Sequence, residues 1–540
     1  VTVASELFPD WIEEIRPKTR KIDVLGLRLL PQIIGNELLD GITTVTANPR
    51  YLSIATLVAR SYALLRRPNS QPEFLDYAAN FEAVLALAST KMNSGRPGII
   101  GVTEATRALA ASADPVPVPP LVETPGTSTF QGACFSLGLL QAVDNSSVPA
   151  VTVERGLPIS RLQERVLSEC ALGRALLHGQ QPTEVSRADL DELGRAFDLT
   201  SFLPQESQLL LDAILPSNPG PKERSRLATY SILLTQARRG KVISKDARTS
   251  EEQFFLASAD TESGLPASLG PVADMWLAYQ CRDAIAVLHE AALETVVRHL
   301  SSGNTAATVS SVLSGLLGDH ALLASALSDT GLPVDANQIS SLDWKTFESL
   351  VTGTLGRQAA SKGIARWRAS IRELGLIRRA LSGDPGAVAL LPVVWLLAAK
   401  RLVLDASMDQ RNASVADPDR LGESRIGVRK VIVPTLLRYR ANNPRLTDVI
   451  AELIHRTVKQ HLRVSWARLS RDPTMTDIAV LTEEGERWFV RDAFSAGRTD
   501  SRIRVAISWL SILGLVGPSG ITDLGILRLA STMDVLDAPQ

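Results

Sequence analysis

Aromatic residues make up only 5% of this 540-residue chain, which holds three cysteines and six histidines. Cys134, Cys170 and Cys281 are odd in number and far apart, which excludes a disulfide framework and a cysteine metal site. Such usage fits a reducing cytoplasm. The histidines are too scattered to nominate a general base. His455 and His461 fall six residues apart and do not share a helix face, so no metal ligand set is expected. The longest apolar run, residues 387–399, is shorter than the roughly 18 residues of a membrane span and is interrupted by Pro392. The N-terminal VTVASELFPDWIEEIR has no apolar signal core. A net charge of −1 excludes indiscriminate wrapping of nucleic acid by the whole molecule. A Walker-type loop, a dinucleotide fingerprint, a Gly-x-Ser-x-Gly elbow and a Cys-x-x-Cys pair are all missing. No cofactor is expected, and binding is expected ahead of catalysis.

What is present points to helices. Hydrophobic residues make up 45% and charged residues 21%, the balance of an ordered globular chain, and Leu and Ala are abundant. The spacing predicts helices over 32–39, 50–65, 160–177, 186–196, 205–215, 222–239, 271–300, 305–328 and 447–469. Hairpins are expected only near 148–156 and within 477–525, where 477–482 and 486–490 flank the turn residues 483–485. The fold class is mainly α: a multi-domain helical protein with one or two small winged-helix-like units. Composition divides the chain into an N-terminal helical domain (1–111), a Pro-rich connector with a possible winged-helix-like unit (112–159), a central helical domain (160–424) and a C-terminal domain (425–540).

In the first of these, Arg50 and Tyr51 open a helix after Asn48-Pro49. Arg50 is read as a residue that ties down loop carbonyls, and Tyr51 as half in the core. The arrangement of Leu25-Gly26, Gly41 with Thr43, and Arg50-Tyr51 resembles the N-terminal part of a group of large, mostly uncharacterised bacterial helical proteins from mobile-element or defence-type loci. Asp40 stands where those chains carry Pro, and LSIATLVARSY where they carry an aromatic-rich stretch. The resemblance implies a setting and no activity. His289-Glu290 lacks the second His of a zinc-protease motif and is read as a surface His beside an acid.

Charge is distributed unevenly. Arg357, Lys362, Arg366, Arg368, Arg372, Arg378 and Arg379 face one acid, Glu373, with Trp367 interleaved. Residues 425–471 hold eleven Lys/Arg against Asp448 and Glu452. These segments carry +6 and +9, which leaves −16 on the rest. In a helix over 447–469, Arg456, Lys459 and Arg463 lie near one another at three- and four-residue spacing.

The segment 498–530 resembles the last helix and wing of a winged helix-turn-helix. Asp500 or Ser501 suits an N-cap. Ile503, Ile507, Leu510 and Leu513 form an apolar stripe, and Gly514 suits a left-handed helix end. Gly517-Pro518-Ser519-Gly520 is a turn by composition. Residues 128–156 repeat the same order of helix, Leu-Gly-Leu, loop and Thr, so two such units are expected, at 98–160 and 470–532. The resemblance implies DNA contact at the start of the last helix, from Arg502 and Arg504 with Arg498, while Arg456, Lys459 and Arg463 clamp phosphates.

Three function classes follow. The first is a non-enzymatic cytoplasmic protein that binds DNA, or a DNA-processing partner, through these units. The second is a structural or interaction subunit that uses them for protein contacts. The third is a metal-dependent nuclease built on Asp477 with Glu483, Glu484 and Glu486, where Arg487 replaces the expected Lys. Oligomeric state is open.

Overall fold

The computed structural model describes residues 23–43, 48–65, 68–92, 98–111, 114–120, 125–242, 247–259, 265–303, 305–354, 373–402, 426–470 and 479–538. Arg357, Lys362, Arg366, Trp367, Arg368, Arg372, Arg425, Arg471 and Asp477 lie outside the described residues. The chain is mainly helical. In order, its first helices are α1 (Leu29–Leu38), α2 (Arg50–Leu64), α3 (Gln71–Met92), α4 (Val102–Ala111), α5 (Gly126–Ser136), α6 (Gly156–Leu167), α7 (Ala171–Leu177), α8 (Arg187–Ala196), α9 (Pro204–Ile214), α10 (Pro221–Arg238) and α11 (Ala247–Ala259). The long α12 (Gly270–Ser301) precedes α13 (Val309–Leu317), α14 (His320–Ser328), α15 (Ala336–Ile339), α16 (Trp344–Thr354), α17 (Glu373–Leu381) and α18 (Leu391–Leu402). The last four are α19 (Val433–Asn442), α20 (Leu446–Leu469), α21 (Ile503–Ile512) and α22 (Asp523–Asp537). No single helix among the described residues is long and apolar enough to cross a membrane.

Two compact units form, each from three stretches of chain. One, the α10 unit, comprises Gly35–Ala257, Leu265–Ala273 and Asp500–Gln540; the other, the α12 unit, comprises Val1–Ile34, Ser258–Gly264 and Asp274–Thr499. The Pro-rich stretch at 112–128 has the same unit on both sides.

In the α10 unit, α10 is buried around most of its circumference between Arg226 and Ala237, with the polar Arg226, Thr229, Ser231 and Gln236 among its buried residues. The C-terminal α22 lies against it. Ser231 and Thr532 hydrogen-bond at 3.2 Å, and Arg224 donates to Leu536 O at 3.1 Å. Between α21 and α22 runs the hairpin of β8 (Val516–Gly517) and β9 (Gly520–Ile521). Between α5 and α6 runs a second one, of β2 (Leu140–Gln141) and β3 (Ala150–Val151). The two helix–hairpin–helix elements share one hydrogen-bond pattern. Gly138 and Gly514 end their helices at φ +67° and +80°, and the N–H groups of Leu139 and Leu515 donate back to Cys134 O and Leu510 O at 2.8 and 2.7 Å. Thr152 and Thr522 then lock each hairpin. Their hydroxyls donate to Gly138 O at 2.6 Å and Gly514 O at 2.7 Å. The same oxygens accept from Gly156 N–H at 3.0 Å and Gly525 N–H at 3.1 Å. A Cβ on Gly156 would lie 2.1 Å from Leu139 O, and one on Gly525 2.2 Å from Leu515 O.

The residues behind the N-terminal resemblance are structural. Gly26 and Gly41 turn the chain at φ +65° and +83°. Arg50 is buried against Glu206 at 3.4 Å, donates to Asp198 O, and lies 4.2 Å from the Phe197 ring centroid. Tyr51 is fully buried rather than half in the core.

In the α12 unit, buried polar groups line α12. His289 joins three helices. Trp395 Nε1–H of α18 donates to His289 Nε2 at 2.9 Å, and His289 Nδ1 lies 2.7 Å from Thr457 Oγ1 of α20. Since Thr457 Oγ1–H donates to Leu453 O at 2.8 Å, the imidazole is neutral with its proton on Nδ1. The surface reading of His289-Glu290 is therefore corrected. Both residues are buried, because His289 and Glu290 have partners from distant parts of the chain. The unit's sheet has three antiparallel strands in the order β5-β7-β6: β5 (Ala306–Thr308), β6 (Leu481–Glu484) and β7 (Arg487–Val490). Trp488 is its buried centre, paired with Ala307 on one side and Glu483 on the other. Strand β5 is not legible as a strand in the sequence, nor are the short strands β1 (Val116–Pro117) and β4 (Glu184–Val185) of the α10 unit.

Two outcomes follow. Gly156→Ala and Gly525→Ala should each cost about 3 kcal/mol in denaturant unfolding, because the added methyl meets a backbone carbonyl. A cost near zero at either glycine would refute the shared lock. Burial lowers the His289 pKa to about 3 and the His461 pKa to about 4. The unfolded chain takes up these protons below about pH 6.5, whereas the folded chain does not until the lower values. The contribution of these two imidazoles to stability is thus full above about pH 6.5 and falls with pH towards 4, by up to about 1.4 kcal/mol per unit for each. His461→Gln should flatten the stability slope between pH 6.5 and 5 by one proton, and an unchanged slope would show the assignment to be wrong.

Candidate nucleic-acid interface

Helix α20 is amphipathic by its own spacing. Val449, Ile450, Leu453, Ile454, Thr457, Val458, His461 and Val464 face inward and are buried. The hairpin β6–β7 docks on this helix. His461 Nε2 accepts from Val480 N–H at 3.2 Å and Leu481 N–H at 3.4 Å, while its Nδ1–H donates to Val24 O at 3.1 Å. The Trp488 ring lies 5.9 Å from that of His455.

The outward face carries Lys459 and Arg463, and Arg456 lies half-buried at its edge, its guanidinium 5.8 Å from the buried Trp395 ring centroid. Arg456 pairs with Glu452 one turn earlier at 2.9 Å, and Lys459 with Glu483 of β6 at 2.5 Å. Glu452 also holds Arg438, and these cations pull its pKa below the usual carboxylate range against the opposing effect of burial. Arg463 is exposed. Beyond it, Trp466 is 73% exposed. Sequence reasoning missed Trp466, although its position seven residues after Lys459 and three after Arg463 sets it on the same side of a helix.

Arg498 belongs to the irregular strap after β7. Its Nε–H donates to Asp283 Oδ2 at 2.8 Å, and Asp283 is fully buried. The strap is sewn to α12 by acids one and two turns apart. Ala496 N–H donates to Glu294 at 2.8 Å, Gly497 N–H to Glu290 at 3.0 Å and Thr499 N–H to Asp283 at 3.3 Å. Arg28 Nε–H donates to Glu290 Oε1 at 2.6 Å.

Arg502 and Arg504 lie in the α10 unit, at the start of α21. Arg502 is itself the N-cap, in a left-handed conformation at φ +61°, with its N–H on Asp500 Oδ1 at 2.8 Å. Ser501 Oγ accepts from Ile503 N–H at 3.3 Å and donates to Glu251 at 2.6 Å. Arg504 Nε–H donates to the other oxygen of Glu251 at 2.7 Å and remains 53% exposed. The same small motif exposes Ile512, Leu524, Ile526 and Leu527.

Among the described residues no group of His, Cys, Asp and Glu is placed to hold a metal ion, and Glu483 is engaged by Lys459. No family model matches the chain, and no curated protein and no solved structure matches it either.

Asp283→Asn should cost about 3 kcal/mol, since it strands the Arg498 guanidinium at a buried site. Lys459→Ala should cost under about 1 kcal/mol, as a surface pair does. Urea unfolding measures both, and equal costs would contradict this division of the cations into structural and available.

Proposed function

We propose that this is a non-catalytic helical protein that binds DNA on the outward face of α20, with hairpin β6–β7 beside it. The observation that carries the reading is the row Lys459, Arg463 and Trp466, exposed at a spacing of four and three residues on one helix face. Cations neutralise phosphates and release counterions; an exposed indole stacks on a base or packs on a sugar. The ion pair of Lys459 is open to water on its cationic side and that of Arg456 is half-buried, so Lys459 exchanges its carboxylate for a phosphate at the lower cost. A helix that leads into an antiparallel hairpin is also the winged-helix arrangement, and α21 with β8–β9 repeats it. Arg502 and Arg504 form the second proposed contact. Arg498 is the weakest of the six, because Asp283 already neutralises it. A cytoplasmic site of action, and a role in mobile-element or defence systems, belong to the same proposal, the latter on the N-terminal resemblance alone.

A specific observation favours a second reading, protein docking: the apolar exposure of Ile512, Leu524, Ile526 and Leu527 around β8–β9. Fluorescence anisotropy with a labelled duplex, across salt, separates the two. Neutralising Arg456, Lys459 and Arg463 together should weaken binding similarly on all sequences. It should also flatten the slope of log K against log salt by about 0.9 for each phosphate that is no longer neutralised. Binding unchanged at every salt concentration would rule this face out, and a wild-type chain with no affinity for DNA would leave protein docking as the reading.

A further inference from the structure

The exposed row on α20 is not uniform along its length. Lys459, Arg463 and Trp466 fall within about 60° of the helix circumference and over roughly 10 Å of its axis. Carboxylates crowd the first end. Glu452 holds Arg456 and Glu483 holds Lys459. The hairpin that carries Glu483 then closes through Glu484 and Glu486, both exposed. Glu483 and the buried Trp488 share the face of the hairpin that meets α20, while Glu484 lies opposite Arg487 on the other face. The far end differs. Arg463 is exposed and, among the described residues, no carboxylate pairs with it. One turn on, the Trp466 side chain is 73% exposed, and Leu469 beside it extends the apolar surface.

These features bear on which form of DNA the row takes. A duplex stacks its base faces on one another and leaves only edges and backbone to a side chain. An unpaired base offers its whole face to an aromatic ring. A duplex also brings a second backbone, which the acids at the hairpin end repel; a single strand needs only the line of the row. We propose that this face recognises single-stranded DNA, with one phosphate on Arg463, a neighbouring one on Lys459, and an unpaired base stacked on Trp466. The inference rests on the DNA reading of α20 and names the form of DNA that it binds.

The test is fluorescence anisotropy of the full chain with a short labelled strand, alone and annealed to its complement. The single strand should bind about tenfold more tightly than the duplex, a preference that one stacked base supplies. Trp466→Leu keeps an apolar side chain but removes the aromatic face, and should abolish that preference while leaving duplex affinity within about twofold. Trp466→Phe should keep most of it. The indole is exposed, so circular dichroism should show both variants folded as the wild type is. Arg463→Gln should weaken binding of the strand and flatten its salt slope by about 0.7, the loss of one neutralised phosphate. A duplex bound as tightly as the strand, or an undiminished preference in Trp466→Leu, would overturn this inference and leave the DNA reading standing. Binding of neither form would overturn both.

Discussion

The α12 unit depends on satisfying the polar groups that its longest helix buries. Asp283, His289, Glu290 and Glu294 sit on a helix with little access to water, where an unpaired charge or imidazole costs several kcal/mol. Each therefore needs a partner, and most of the partners come from distant parts of the chain. Asp283 takes Arg498 and the Thr499 amide, Glu290 takes Arg28 and the Gly497 amide, Glu294 takes the Ala496 amide, and His289 takes Trp395 and Thr457. The strap, the loop before α1, α18 and α20 are positioned by these demands as much as by apolar contact. Such a network, once complete, also selects one register for the helices, since a slip of one residue would leave every acid without its donor.

The same logic explains why a segment with eleven cations does not become a uniformly basic face. Arg440 is held by Glu348, Arg438 and Arg456 share Glu452, Lys459 takes Glu483 and Arg468 reaches Asp23. The acids that neutralise this stretch come mostly from outside it, so a charge count along the sequence overstates the field at the surface. What remains is narrow: one helix face with a few cations, Lys459 and Arg463 the most exposed of them, and an indole at its end. A narrow, weakly neutralised row fits a local contact with a polyanion better than an enveloping one.

Local features are readable from the sequence, and long-range ones are not. The helix expected over 271–300 is Gly270–Ser301, and that over 447–469 is Leu446–Leu469, because an apolar period and the turn residues beside it fix both ends. The stretch 160–177 breaks in two at Cys170, which caps α7 by accepting from Gly173 N–H at 3.3 Å; no Gly or Pro marks that break. In the candidate site, the grouping of Arg456, Lys459 and Arg463 follows from helical spacing alone. That Arg498 is bound to Asp283, 215 residues away, and that Glu251 holds the start of α21, follow only from tertiary structure. The burial of His289 escapes a local reading for the same reason: its partners lie 106 and 168 residues distant.

The repeated helix–hairpin–helix element has a further consequence. Its lock, a Thr hydroxyl shared between a left-handed Gly carbonyl and a close-packed Gly amide, sits entirely at the base of the hairpin. The tips differ freely: Pro518-Ser519 in one copy, residues 142–149 in the other. Base and tip are thus separable, and the tip is a place where the chain accommodates insertions without disturbing the helices on either side. Two such ports in one compact unit give this architecture a means of acquiring new surface loops while its core stays constant.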